Sequence, residues 1–221
     1  MNKITLNIHL DVLDKERQEL LKKLAPFLKN FTSRKARFIL GGGTTLALQI
    51  AHRKSFDFDF FSQSEIPKNL IEKLSPIISI ANISADTGDE LTFFTKKEIK
   101  ITFLYYPFSH TFPLVTLENG LRLFPIKDIA TQKAYTIGRR GEYRDYFDLY
   151  TILKSKYISL PKLVSETKKI YGSVFEEKIF LEQLVYFGDL LNFDIVPANS
   201  KSMPKPEEVK HFLEVLVQDY V

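Results

Sequence analysis

Six residues, FDFDFF from Phe56 to Phe61, constrain the fold more than any other stretch. Strict alternation puts Phe56, Phe58 and Phe60 on one side of a strand and Asp57, Asp59 and Phe61 on the other. A strand with so much aromatic surface on one face has to lie in a sheet with a packed layer against it. The carboxylates cannot share that burial, because an unpartnered carboxylate is expensive to bring out of water. At i and i+2 they stand about 6.6 Å apart along the strand, within reach of one hard cation. Magnesium suits such oxygen ligands and keeps waters or phosphate oxygens in its shell. The histidines His9, His52, His110 and His211 lack zinc-site spacing. The plainer alternative is an edge strand whose polar face is wet.

A few residues upstream, FILGGGTTLAL ends a short apolar run, Ala36 to Leu40, in three glycines. That pattern predicts a strand, a tight turn and a helix through Gln49 or Ile50 with Thr44 or Thr45 as its cap. The turn has neither the lysine of a phosphate loop nor G-x-G-x-x-G spacing. Glycines do let a backbone approach a ligand closely, and N–H groups at a helix start favour an anion. A close helix–sheet contact needing small residues explains the glycines equally well. Taken together, a helix start that suits phosphate and a carboxylate pair that suits magnesium point to metal-assisted phosphoryl or nucleotidyl transfer.

The rest of the chain gives this pair a setting. Apolar positions at Leu13, Leu20, Leu21, Leu24, Phe27 and Leu28 predict an amphipathic helix over 13–28. A helix at 68–74 and strands at 77–84, 91–95 and 98–106 follow, then a short strand and an Asn119-Gly120 turn within 112–123. From Pro125 onward the pattern turns helical, at 126–138, 143–155, 161–171, 175–187 and 207–220, with a loop in IVPANSKSMPKPEE. The expected fold class is therefore α+β: a mixed sheet with helices over 1–124 and a helical bundle over 125–221. The absence of cysteine excludes disulfides, thiolate metal sites and a cysteine nucleophile, and suits an intracellular, cytoplasmic protein. The segment MNKITLNIHLDVLDKERQELL lacks a signal-peptide core, and no membrane-spanning stretch is expected. A net charge of +4 permits a nucleic-acid partner without requiring one.

GGGTTLAL…HRKSFDFDFF, followed by IKDIATQKAYTIGRRGEYRDYFDLYTIL, resembles the AbiEii/AbiGii nucleotidyltransferase toxin family, a branch of the polymerase-beta-like minimal nucleotidyltransferases. The resemblance in order and spacing covers about 38 to 153. It implies a nucleotidyltransferase-like first domain that transfers a nucleoside monophosphate from a nucleoside triphosphate to an acceptor hydroxyl, with Mg²⁺ as cofactor. Gly42, Gly43, Thr44 and Thr45 would then hold the triphosphate, with Arg53 and Ser55 leading into the site. Asp57 and Asp59 would bind the metal, and Lys133, in D-x-x-x-x-K, would reach the phosphates. Lys100 would fall on the motif strand, and Arg144, Asp145 and Asp148 would lie on a later helix in supporting roles. RNA, including tRNA 3′ ends, is the implied acceptor, and a cognate antitoxin the implied partner of a type IV toxin.

The sequence departs from the wider superfamily at Thr102. A third carboxylate is usual there, and threonine cannot replace it as a base or an anionic ligand. Asp128 or Asp145 is the candidate substitute. Two other readings therefore stand beside the first: an impaired member that binds without turnover, and another metal-dependent phosphoryl transferase such as a kinase. Arg139 and Arg140 are candidate helix-end residues. Tyr143, Tyr146 and Tyr150 are expected to pack the helical half against the sheet, with base stacking as the alternative.

Overall fold

A computed structural model describes residues 8–31, 37–137, 139–199 and 202–221. Ala36 of the expected first strand, Gly138 at the end of an expected helix, Ser200 and Lys201 of the expected loop, and the first seven residues lie outside the described set. The chain divides into two compact units. The first runs to Ser109 and resumes over Pro113–Phe124; the second comprises His110–Phe112 and Pro125–Val221.

The first unit is built on a seven-stranded mixed sheet. Its strands are β1 Ile39–Gly41, β2 Phe58–Ser62, β3 Ile80–Asp86, β4 Glu90–Thr95, β5 Lys100–Tyr105, β6 Val115–Thr116 and β7 Arg122–Leu123, in the order β3-β4-β5-β2-β1-β7-β6. The pairs β2/β5 and β1/β7 are parallel and the others antiparallel. The helix α1, Lys15–Asn30, starts where the Asp14 carboxylate accepts from the Arg17 N–H at 2.9 Å, and it buries Leu20, Leu21, Leu24, Ala25 and Leu28. Two further helices, α2 Gly42–Ile50 and α3 Leu70–Leu74, complete the unit.

The alternation in FDFDFF acts as a physical divider. Phe58 and Phe60 are fully buried together with Ile101, Phe103 and Phe93 from the neighbouring strands. Phe60 stacks on Phe103 at 5.0 Å, Phe103 meets Phe38 edge-on, and Phe38 makes a tilted contact with Phe31, just past α1. The expected strand is one correction here. It begins at Phe58, so Phe56 is no part of the core face: it is 39% exposed, with the Arg17 guanidinium 5.3 Å over its ring.

The second unit contains α4 Ile126–Thr136, α5 Tyr143–Lys154, α6 Leu160–Tyr171, α7 Glu177–Val185 and α8 Pro206–Gln218. Its central helix, α5, buries nine of its side chains, from Tyr143 to Leu153. The tyrosines find their ring partners inside this unit: Tyr143 meets Phe187 and Phe193, Tyr146 meets Phe187, and Tyr150 meets Phe212. Burial pushes the hydroxyls of Tyr143 and Tyr146 up to about 12. The excursion His110–Phe112 belongs to this unit because the Asp128 carboxylate accepts from the N–H groups of Thr111 and Phe112 at 3.0 and 3.3 Å. Among the described residues no helix is long and apolar enough to cross a membrane.

The two phenylalanine environments separate cleanly in an experiment. Phe60→Ala is expected to cost about 3–5 kcal/mol of unfolding free energy in urea, because it empties the centre of the aromatic layer. Phe56→Ala is expected to cost about 1 kcal/mol or less, the order of an exposed cation–π contact.

Candidate active site

The two motifs met in the sequence meet again in space. Strand β1 lies antiparallel to β2, with Gly41 opposite Asp59. The chain then turns into α2 at Gly42, whose φ of +64° is a left-handed conformation that suits glycine. A Cβ at Gly42 would come within 2.7 Å of Asp59 Oδ2, and one at Gly41 within 2.5 Å of the Phe61 ring. Both glycines are therefore required for the turn to close on the strand. Of the two readings posed on sequence, the close contact that needs small residues is present at this turn. Gly41 was not among the sequence candidates, since only the strand register shows what it faces.

The helix start differs from expectation. α2 begins at Gly42 with Gly41 in the capping position and no side-chain cap, so neither Thr44 nor Thr45 serves as one. The left-handed glycine starts the helix earlier and places both threonines inside it. Thr44 is buried, and its hydroxyl meets the Ser55 hydroxyl at 2.7 Å and donates to the Asp57 carbonyl. That tie fixes the segment leading into β2 against α2, and with it the backbone of Asp57. Thr45 is also buried. Gly42 and Gly43 are half-buried at the helix start, where the first N–H groups have no partners within the helix. Arg53 is buried and its guanidinium donates to the Lys54 carbonyl at 3.0 Å.

On the same sheet face, Asp59 is half-buried and stands beside Thr102 in the parallel β2/β5 register. Lys100 begins β5 and shares that face by alternation. Among the described residues no group of three or more His, Cys, Asp or Glu converges as a metal cluster. The carboxylates at hand are Asp59 on β2 and Asp57, which precedes the strand, with neutral oxygens beside them. This fits a hard cation that completes its shell with water or phosphate oxygens. It does not fit zinc, which takes nitrogen and sulfur ligands.

The remaining candidates lie in the helical unit and are strongly coupled. Asp145 and Asp148, one turn apart on α5, turn the same way toward α4. The Lys133 ammonium lies 2.5 Å from Asp145 Oδ1 and 2.8 Å from Asp148 Oδ2. Arg140 adds bonds of 2.8 and 3.1 Å to the two oxygens of Asp145. Burial alone pushes the Asp145 carboxyl up, but Lys133 and Arg140 more than offset it and hold it below the usual carboxylate range. Arg144 pairs with Glu142 at 3.2 Å, away from this cluster. Asp128 spends both oxygens on the backbone of 111–112, and Asp145 both of its own on cations. Neither is therefore poised as a free substitute for a third carboxylate.

Removing Lys133 leaves two buried carboxylates facing each other. Lys133→Met is expected to lower unfolding free energy by about 3–5 kcal/mol in chemical denaturation. Asp145 has a folded-state pKa below its unfolded value, so its ionisation stabilises the fold above about pH 4 and that contribution is lost as pH falls through the folded value. Acidification below about pH 4 is therefore expected to lower the melting midpoint of the wild type more steeply than that of Asp145→Asn.

Comparison with known proteins places these features in a family. Residues 27–215 match the model of the nucleotidyl transferase AbiEii toxin family, of type IV toxin–antitoxin systems. The uncharacterized protein aq_aa25 of Aquifex aeolicus (strain VF5) is 32% identical over 223 residues, covering 95% of this chain and 98% of that protein. Among solved structures, MenT4, the nucleotidyltransferase toxin Rv2826c of Mycobacterium tuberculosis H37Rv, aligns with a TM-score of 0.56 at 15% identity, over 95% of this chain and 87% of its own. JHP933 of Helicobacter pylori aligns with a TM-score of 0.55 at 20% identity, over 93% and 92%. At those identities the structural likenesses bear on the fold, which they share with this mixed sheet and its helices. The family match spans both the glycine turn with its carboxylate strand and the lysine–aspartate cluster, and the chain belongs to the AbiEii nucleotidyltransferase toxin family.

Proposed function

We propose that the protein is a Mg²⁺-dependent nucleotidyltransferase that moves a nucleoside monophosphate from a nucleoside triphosphate to an acceptor hydroxyl. The observation that carries this reading is the contact of the Asp59 carboxylate with Gly42 at the start of α2. A helix N-terminus attracts phosphate, whereas a carboxylate at the same point repels it. A divalent cation such as magnesium, which takes oxygen ligands, would be held by Asp59 with Asp57 and would offset that repulsion. When bound, Mg²⁺ supplies charge neutralisation of the triphosphate and of the leaving pyrophosphate.

The chain's own residues account for the rest of the chemistry. Asp57 and Asp59 provide the anionic oxygens for the cation. The N–H groups of Gly42, Gly43 and Thr44 face the phosphates, which the glycines let approach the backbone. Thr44, through Ser55 and the Asp57 carbonyl, keeps the first carboxylate in register with the helix start. Lys133, which the family pattern assigns to the phosphates, has its ammonium held by Asp145 and Asp148 within the helical unit. The acceptor hydroxyl forms its bond to the α-phosphorus as the bond to the pyrophosphate oxygen breaks, and its proton leaves to solvent or a phosphate oxygen. An RNA 3′ hydroxyl, such as that of a tRNA, is the acceptor we favour, consistent with the net charge of +4. A cognate antitoxin is the expected partner. Thr102 favours a second reading, a member that binds nucleotide without turning it over.

Incubation with an RNA pool and each α-labelled nucleoside triphosphate plus Mg²⁺ is expected to give labelled RNA and pyrophosphate. Asp57→Ala is expected to reduce this by about 100-fold or more. Nucleotide binding without turnover supports the second reading. Transfer of the γ-phosphate alone makes the protein a kinase and contradicts the proposal.

A further inference from the structure

Thr102 stands where a third carboxylate would complete the metal site, yet it is not isolated. The antiparallel β4/β5 register places Thr92 beside it on the side away from Asp59, and the two threonines are 3% and 5% exposed. Their hydroxyl oxygens lie 3.3 Å apart, a longer contact, while the Thr92 hydroxyl donates to Glu90 Oε1 at 2.6 Å. Glu90 sits two residues back on the same face of β4. Proton counting then sets the direction of this chain of oxygens. A carboxylate only accepts, so the single hydroxyl proton of Thr92 goes to Glu90. The proton shared between the threonines has to come from Thr102. That leaves the Thr102 oxygen as an acceptor, and its other neighbour in the row is Asp59.

We propose that Glu90, acting through Thr92, positions the Thr102 hydroxyl as the third protein oxygen for the cation held by Asp57 and Asp59. The proposal rests on reading that aspartate pair as a divalent-cation site. Glu90 is a positioning residue: its negative charge reaches the site through two hydroxyls instead of by direct contact. A neutral ligand backed by a remote carboxylate does part of the work of the missing aspartate, because an oxygen whose proton is drawn toward an anion becomes a better electron donor. The arrangement also explains why Thr92 and Thr102, both polar, are buried at the centre of the sheet.

The test is Mn²⁺ binding to the full chain followed by electron paramagnetic resonance, with no turnover required. Glu90→Gln and Thr92→Val are each expected to weaken binding by about 10- to 100-fold. Thr102→Asp is expected to bind at least as tightly as wild type, and to become insensitive to Glu90→Gln, because the carboxylate now sits in place. Wild-type affinity in both Glu90→Gln and Thr92→Val overturns the relay while leaving the aspartate pair intact. A Glu90→Gln loss that persists undiminished beside Thr102→Asp is a packing effect and also overturns it. Unchanged Mn²⁺ binding in Asp57→Ala overturns the reading of the pair itself, and the relay with it.

Discussion

The fit of Gly42 against the Asp59 carboxylate is the constraint on which the rest of the site depends. No side chain other than hydrogen can occupy that position without striking the carboxylate, and the left-handed φ adds a second reason for glycine. The turn brings a helix start and an acidic strand to one point, and on the proposed reading a cation offsets the repulsion between the acid and a bound phosphate. Burial of Phe58 and Phe60 on the opposite face holds the strand rigidly while this happens. The core phenylalanines and Asp59 thus occupy the two faces of one five-residue strand.

The helical unit is organised by a different kind of interaction. Two aspartates on α5 share one lysine from α4, and Arg140 adds a second cation, so charges that are costly to bury offset each other locally. This cluster contributes to holding α4 and α5 together, whatever else Lys133 does. The same substitution can therefore lower stability and activity, and a loss of activity alone does not assign Lys133 a chemical role.

Much of this was legible in the sequence, for identifiable reasons. The period-two pattern of FDFDFF fixes which face is core, and the Gly-rich break after Leu40 marks where strand becomes helix. The helices after Pro125 follow from their apolar stripes. Legibility failed where three-dimensional register decides. Phe56 continues the alternation on paper but precedes the strand, and Thr44 resembles a cap until the left-handed glycine starts the helix before it. Asp128 looked available for the metal site until its carboxylate proved bound to the backbone of 111–112. The row Gly41, Asp59, Thr102, Thr92 joins four strands, and Thr92 carries no sequence signal of its own because only pairing with β5 gives it a neighbour that matters.

The central claim is that carboxylate and helix start share a metal-bound triphosphate. Calorimetric binding of a non-hydrolysable nucleoside triphosphate, with Mg²⁺ and with chelator, to the wild type and to Asp59→Asn tests it most directly. The account predicts binding that requires both Mg²⁺ and Asp59. Equal affinity under all four conditions, or tighter binding once the Asp59 charge is removed and Mg²⁺ chelated, would contradict it.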